Sequence, residues 1–288
     1  MAFINHRLTL SDEINLQFAV LNLDYNDHPN DYVSFEVSDG RTGTMYFSDA
    51  VEDYFNLNVR WFTCSLNALE LADTVTATYH YGDGETVSNT YSVMEYFSYM
   101  RTAYSNNEDI INLIDATQNY GYYMQLSGWT DGRQHEPIPE TGIVLDDDNI
   151  SEAREMTSDS AIVKNNLENA GIDNVKYALT LNSKTVINLF VNPAEGVTIN
   201  SVSDNVTAKG TRKFGDDTYY RYDTDGISPG NLGFHKQITI ATSADTASVN
   251  VTPMSYVHEV VKEGSTFTQE KQLAMAAYYE YYTAVLNI

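Results

Sequence analysis

The sequence predicts a mainly β chain with helices, an α+β fold. It reads as two Ig-like antiparallel β-sandwich modules, each followed by a two-helix hairpin packed on it. Three observations predict this. The first ninety residues are short runs of period-two alternation parted by turn residues, the pattern of half-buried strands. The period then switches to helical spacing. Both halves carry that switch: Met94, Tyr96, Leu113, Ala116, Tyr122 and Leu126 recur 160 residues on as Met254, Tyr256, Leu273, Ala276, Tyr282 and Leu286. An offset held without a gap over such a length marks an internal duplication.

Leu8 and Leu10, then Ile14, Leu16, Phe18 and Val20, alternate with polar residues, so 8–21 is read as a strand. Asn26 to Asn30, with Asp27, His28 and Pro29, marks a turn. Tyr32 to Val37 is a second strand, with a hairpin signal at Asp39-Gly40. Thr44–Phe47, Asn58–Leu66 and Thr74–Tyr81 continue the pattern, and Gly82-Asp83-Gly84 turns the chain into Thr86–Tyr91. Trp61 and Cys64 sit in an apolar run and are expected in the core.

Ser92 with Glu95 three residues on is a capping box. Val93, Tyr96, Phe97, Met100 and Tyr104 follow at helical spacing. Asn107 or Glu108 opens a second helix faced by Ile110, Ile111, Ile114, Thr117, Tyr120 and Met124. Residues 127–157 lose periodicity and hold Gly128, Gly132, Pro137, Pro139, Gly142 and Asp146-Asp147-Asp148. The domains are therefore 1–128 for module one, 129–157 as an acidic Gly/Pro-containing linker or loop, and 158–288 for module two. Ser158 or Asp159 is read as capping a short helix through Asn169, with Gly171 beyond it. Strands follow at Val175–Leu181, Val186–Val191, Gly196–Val202, Val206–Lys209, Tyr219–Tyr222, Lys236–Ala241 and Ala247–Val251. Thr252 caps a helix with Pro253 in its first turn. Thr266 is read as opening the last helix, with Leu273, Ala276, Ala277, Tyr281 and Val285 on its buried face.

The balance of 16 basic against 40 acidic residues gives a net charge of −24. Such a field repels nucleic acid and anionic membrane surfaces. No apolar run reaches the roughly 18–20 residues of a membrane span, and the N-terminus is not a signal peptide. One cysteine allows no internal disulfide.

Trp61-Phe62-Thr63-Cys64, Ala72 to Ala77, Tyr91-Ser92-Val93 with Tyr96, and Asn119-Tyr120-Gly121 resemble a module of large surface proteins of anaerobic gut bacteria. Those proteins are cellulosome- or amylosome-associated or of the starch-adherence type. Tyr177–Phe190 and Met254–Leu286 resemble the module that usually follows. The resemblance implies a non-catalytic, extracellular, surface-attached role, this chain being a fragment without its signal peptide. Its motifs are strand, helix and cap residues, so it carries over no catalytic or ligand-binding residue.

Among local motifs there is no phosphate loop, dinucleotide fingerprint, His-Glu-x-x-His or nucleophile elbow. His6, His28, His80, His135, His235 and His258 show no metal-ligand spacing. Carboxylates abound, but nothing in the sequence pairs them as a glycosidase needs, so the chain is read as not an enzyme. No cofactor is expected, except that calcium has two candidate starts. Asp223-Thr224-Asp225-Gly226 begins like a calcium loop but has Phe234 at position twelve, and Asp146-Asp147-Asp148-Asn149 is an acidic patch. In both places a plain turn or solvated acid run explains the residues too.

The functional lead is aromatic. Trp129 stands outside any periodic face beside Arg133, Gln134 and His135, the composition of a sugar site in which a ring stacks on a pyranose and polar groups fix hydroxyls. The competing reading, which the ordinary role of a loop tryptophan favours, is that Trp129 pins the loop to the sandwich. In Tyr219-Tyr220-Arg221-Tyr222, alternation puts Tyr220 on one face and Tyr219 with Arg221 on the other, a second candidate strip or else ordinary cross-strand packing. The expected function is binding a neutral polysaccharide, a starch-type α-glucan first, by a monomer. The alternative is a structural spacer or adhesion module contacting a surface protein partner.

Overall fold

The computed structural model describes residues 2–10, 13–22, 30–82, 84–181, 184–203 and 205–288. Of the expected turns, Asn26, Asp27, His28, Pro29 and Asp83 lie outside these residues. The chain divides into two compact units, residues 1–144 with 287–288, and residues 145–286. The described residues form four antiparallel sheets of four strands and five α-helices. No described helix is long and apolar enough to cross a membrane.

In the first unit β1 (Ala2–Thr9), β2 (Ile14–Leu21), β6 (Val59–Leu66) and β5 (Val51–Glu52) form one sheet in the order β1-β2-β6-β5. The other runs β4-β3-β7-β8, from β4 (Thr42–Tyr46), β3 (Tyr32–Val37), β7 (Val75–Tyr81) and β8 (Glu85–Tyr91). Residues 8–21, expected as one strand, are two strands that pair antiparallel, with Leu8 opposite Leu16. Alternate side chains of both sheets meet in one core: Leu16, Phe18, Phe62 and Leu66 from the first, Val33, Phe35, Val75 and Tyr79 from the second. Cys64 is buried in it as expected.

Helices α1 (Val93–Ala103) and α2 (Glu108–Leu126) follow. Ser92 and Glu95 close the capping box reciprocally, at 3.2 and 2.8 Å. Asn107 caps α2 by accepting from the Ile110 amide. Val93 and Phe97 of α1 and Ile114 of α2 join the sheet core. Burying a residue such as Phe97 contributes about 1.5–3 kcal/mol. Arg101 ties the helices together through Asp115 at 2.6 Å and Gln118 at 2.8 Å.

The stretch read as a linker has two fates. Residues 129–144 belong to the first unit, where Ile138 enters the core. Beyond them lies an unexpected helix, α3 (Asp147–Met156), whose cap Asp146 makes a reciprocal box with Asn149. The helix expected over 158–169 does not form. A single 3-10 turn at Ser158–Ser160 leads into β9 (Val163–Asn165), which pairs with a strand described next.

In the second unit β10 (Ile172–Leu181), β11 (Thr185–Pro193), β14 (Asp217–Thr224) and β13 (Val206–Phe214) lie in the order β10-β11-β14-β13. The fourth sheet is β12-β15-β16-β9, from β12 (Ile199–Val202), β15 (Lys236–Thr242), β16 (Thr246–Val251) and β9. Taken in chain order, β10, β11, β13 and β14 repeat the pairing of β1, β2, β5 and β6, while β12, β15 and β16 repeat that of β3, β7 and β8. The edge strands differ: β4 flanks β3 in the first unit, and β9 flanks β16 in the second.

Helices α4 (Pro253–Val261) and α5 (Gln269–Leu286) begin and end close to 160 residues after α1 and α2. Thr252 caps α4 as Ser92 caps α1. Burial tracks the offset as well: Ala116 and Ala276 are buried, whereas Leu126 and Leu286 are 51% and 54% exposed. The last helix departs from expectation. It starts at Gln269 rather than Thr266, and Ala274–Tyr279 and Tyr281 are all buried. The cause is α3, which packs on α5 from another side through Asn149–Glu280 at 2.8 Å and Gln269–Asp147 at 2.9 Å.

Candidate functional site

The loop after α2 was the first place to expect a ligand. Trp129 is half-buried and Gln134 is exposed. Arg133 and His135 turn inward. Asp131 organises the loop by accepting from the Arg133 amide at 3.0 Å and pairing with the Arg133 guanidinium. Arg133 Nη1 reaches Asp39 Oδ2 at 3.0 Å and Glu70 Oε1 at 3.3 Å. Arg41 Nε reaches the same Glu70 oxygen at 2.8 Å. His135 Nδ1 lies 2.7 Å from Asp73 Oδ2, and Nε2 lies 3.0 Å from Asp131 Oδ1. The Glu136 amide donates to the second oxygen of Asp73 at 2.8 Å.

The electrostatics follow from burial and pairing. Burial pushes the Glu70 carboxyl up, a push its Asn67 amide bond and arginines only partly offset. Burial opposes ionisation of Asp131 too, but Arg133 and His135 outweigh it and hold that carboxyl well below the usual range. Burial alone would lower the His135 imidazole, yet its bonds to Asp73 and Asp131 keep it above its ordinary value.

Asp39, Asp73 and His135 bring three metal-type donors together. The geometry is that of hydrogen bonds and ion pairs instead. Two donors on a tetrahedral zinc ion, each about 2.0–2.1 Å from it, stand roughly 3.3 Å apart; Nδ1 and Oδ2 are closer, and Arg133 already occupies Asp39. The two calcium candidates also have protein partners. Asp223 binds Arg221 at 2.7 Å and Asn188 at 3.1 Å, and Asp146 caps α3.

The tyrosine strip is mostly closed. Tyr219 is buried, edge-on to Phe214 and beneath the Lys176 ammonium. Tyr222 is also buried, opposite Leu189, and only Tyr220 is exposed.

An open, chemically richer surface lies on the outer face of the β4-β3-β7-β8 sheet. Register sets its side chains in three rows across the strands: Tyr46-Tyr32-His80-Thr86, Thr44-Ser34-Thr78-Ser88 and Thr42-Glu36-Thr76-Thr90. Thr76 bonds Thr90 at 2.9 Å, Thr78 bonds Ser88 at 2.8 Å, and Ser34 bonds His80 Nε2 at 2.8 Å. Tyr32 stacks on His80 at 4.4 Å, and Tyr46, tilted against Tyr32, is 53% exposed. A cleft of about 280 Å³ opens over Ser34, Glu36, Thr42, Thr44, Thr76 and Thr78. Gly43 leaves its neighbourhood unfilled.

Each hydroxyl can donate and accept, and Glu36 accepts only. The face therefore offers mixed hydrogen bonding with a ring at its border, and it carries one carboxylate among the described residues. Sequence reading passes over it because serine and threonine at period two are the ordinary solvent face of a strand. Its only sequence signal is Tyr32 and His80 sharing that parity with Ser34, Glu36, Thr76 and Thr78. No protein-family model matches the chain, and a search of curated proteins finds no match.

Proposed function

We propose that the chain is a non-catalytic, extracellular binding module of a bacterial surface protein. It holds a neutral polysaccharide, a starch-type α-glucan first, on the outer face of β4-β3-β7-β8, and acts as a monomer. The observation that carries the reading is the hydroxyl-lined cleft bordered by Tyr46, Tyr32 and His80. Sugar sites combine an apolar ring with a few placed polar groups. Glu36, the lone carboxylate of that face among the described residues, supports binding over hydrolysis, which takes two. The net charge of −24 disfavours polyanions. The recurring strand order supports a duplicated Ig-like sandwich with a helical hairpin, and the resemblance to gut-bacterial surface modules supports the location.

Affinity electrophoresis against starch, glycogen and other neutral polysaccharides tests this. Retardation is expected for the native chain. Tyr46→Ala with Thr44→Val and Glu36→Gln should weaken binding by about 2–3 kcal/mol, roughly 30- to 150-fold, at an unchanged melting temperature. Free migration of the native chain in every gel would remove the proposal.

One observation favours the alternative, an adhesion module with a protein partner. Tyr54 and Phe55 are 89% and 93% exposed on a turn that Asp53 braces. Asp53 accepts from the Phe55 and Asn56 amides and from the Trp61 indole at 2.9 Å. If Tyr54→Ser with Phe55→Ser abolished surface adhesion while glycan retardation persisted, that reading would win.

A further inference from the structure

We propose that His135 is a proton-operated clasp, closed while both ring nitrogens carry hydrogen and opening the 131–136 loop when one is lost. The argument rests on donor arithmetic. Nδ1 faces Asp73 Oδ2 at 2.7 Å and Nε2 faces Asp131 Oδ1 at 3.0 Å. An ionised carboxylate only accepts, so both bonds exist together only for the imidazolium. Neutral imidazole would turn a lone pair on one of these oxygens, with the ring side chain only 7% exposed and that of Asp73 fully buried. An unmatched buried pair of acceptors is expensive.

The charges around the ring point the same way. Asp73 comes from the turn before β7, Asp131 from the loop itself, and Asp39, 3.9 Å from Nδ1, from the β3–β4 hairpin. Glu70 stands behind Arg133, and Arg41 and Arg133 are the other cations of the cluster. Four carboxylates thus face three cations, and losing the histidine's charge leaves four against two. The loop is also tied at its ends: the Trp129 amide bonds Met124 O, and the Ile138 amide bonds Gln125 Oε1 at 3.0 Å. Opening is therefore confined to the residues between.

The sign is fixed by the direction of the shift. The folded imidazole titrates above its ordinary value, so the clasp's contribution is complete below about pH 6.5 and is lost as pH rises through the folded value. The trigger lies at higher pH than for an unpartnered histidine, which changes state near pH 6.5.

Two readouts on the full chain test it: ring nitrogen-15 shifts of His135 across pH 5–10, and hydrogen-exchange protection of the Glu136 amide over that range. Both nitrogens should be protonated at pH 6. Glu136 protection should fall from about pH 6.5 and level off above the ring's own midpoint, tenfold in all for each pH unit by which that midpoint exceeds 6.5. His135→Gln should make the protection independent of pH. If that variant does not fold, the native titration and protection curves decide alone. A ring with one bare nitrogen at pH 6, protection indifferent to the ring's titration, or a zinc-bound ring signature removed by chelator would each overturn the clasp.

Discussion

Gly121 lies inside α2 with ordinary helical geometry, so replacing it with alanine should by propensity stabilise the chain by about 1 kcal/mol. The packing reverses that. A Cβ there would stand 2.6 Å from the Ala68 carbonyl oxygen, 2.6 Å from Leu71 Cδ1 and 2.8 Å from Ile138 Cδ1. Leu71 and Ile138 are buried, and the Ala68 carbonyl is backbone in the turn that carries Glu70. Forcing a methyl into such a contact costs about 1–3 kcal/mol. We set it at the upper end because a backbone atom must move, which leaves a net loss of about 1–2 kcal/mol. For a unit of this size that is a fall of roughly 2–8 °C in Tm. Differential scanning calorimetry of Gly121→Ala reads it directly. A variant melting at or above the native temperature would show that the helix does not press on the 68–71 turn, and the placement of Glu70 would need another explanation.

Ser92→Ala removes the hydroxyl that accepts from the Glu95 amide, leaving the residue-92 amide bonded to the Glu95 carboxylate, and should cost about 1 kcal/mol in urea unfolding; an unchanged midpoint would mean the core alone fixes α1. Burial pushes the Cys64 thiol up to about 11. The native chain should therefore resist thiol reagents at pH 8 and label fully only in denaturant, and rapid native labelling would contradict its burial.

The elements readable from sequence are those set by neighbours in sequence. The Ser92–Glu95 and Thr252–Pro253 starts are decided within four residues, and α1 and α4 begin there. The elements missed are those decided at a distance. Asp146 and Asn149 form a capping box, but only Ile150 and Ala153 follow as buried residues, too few to show a helical period. That same helix closes the second side of α5, so a face expected to be one stripe is buried nearly all round. Residues 8–21 keep one alternation although they belong to two paired strands, because both strands present the same parity to the core. Arg133 and His135 looked like ligand contacts because their carboxylate partners Asp39, Glu70 and Asp73 lie some sixty to ninety residues earlier. The hydroxyl rows exist only once four strands fall into register.

The unequal edge strands bear on valency. The Tyr46 column of the open face belongs to β4, for which the second unit has no counterpart beside β12 among the described residues. The outward residues of β15 and β16 there, such as Thr239, Gln237, Ser248 and Asn250, include no ring. If the open face binds the proposed polymer, the chain would grip it once through that face, and any avidity would have to come from displaying several such chains together.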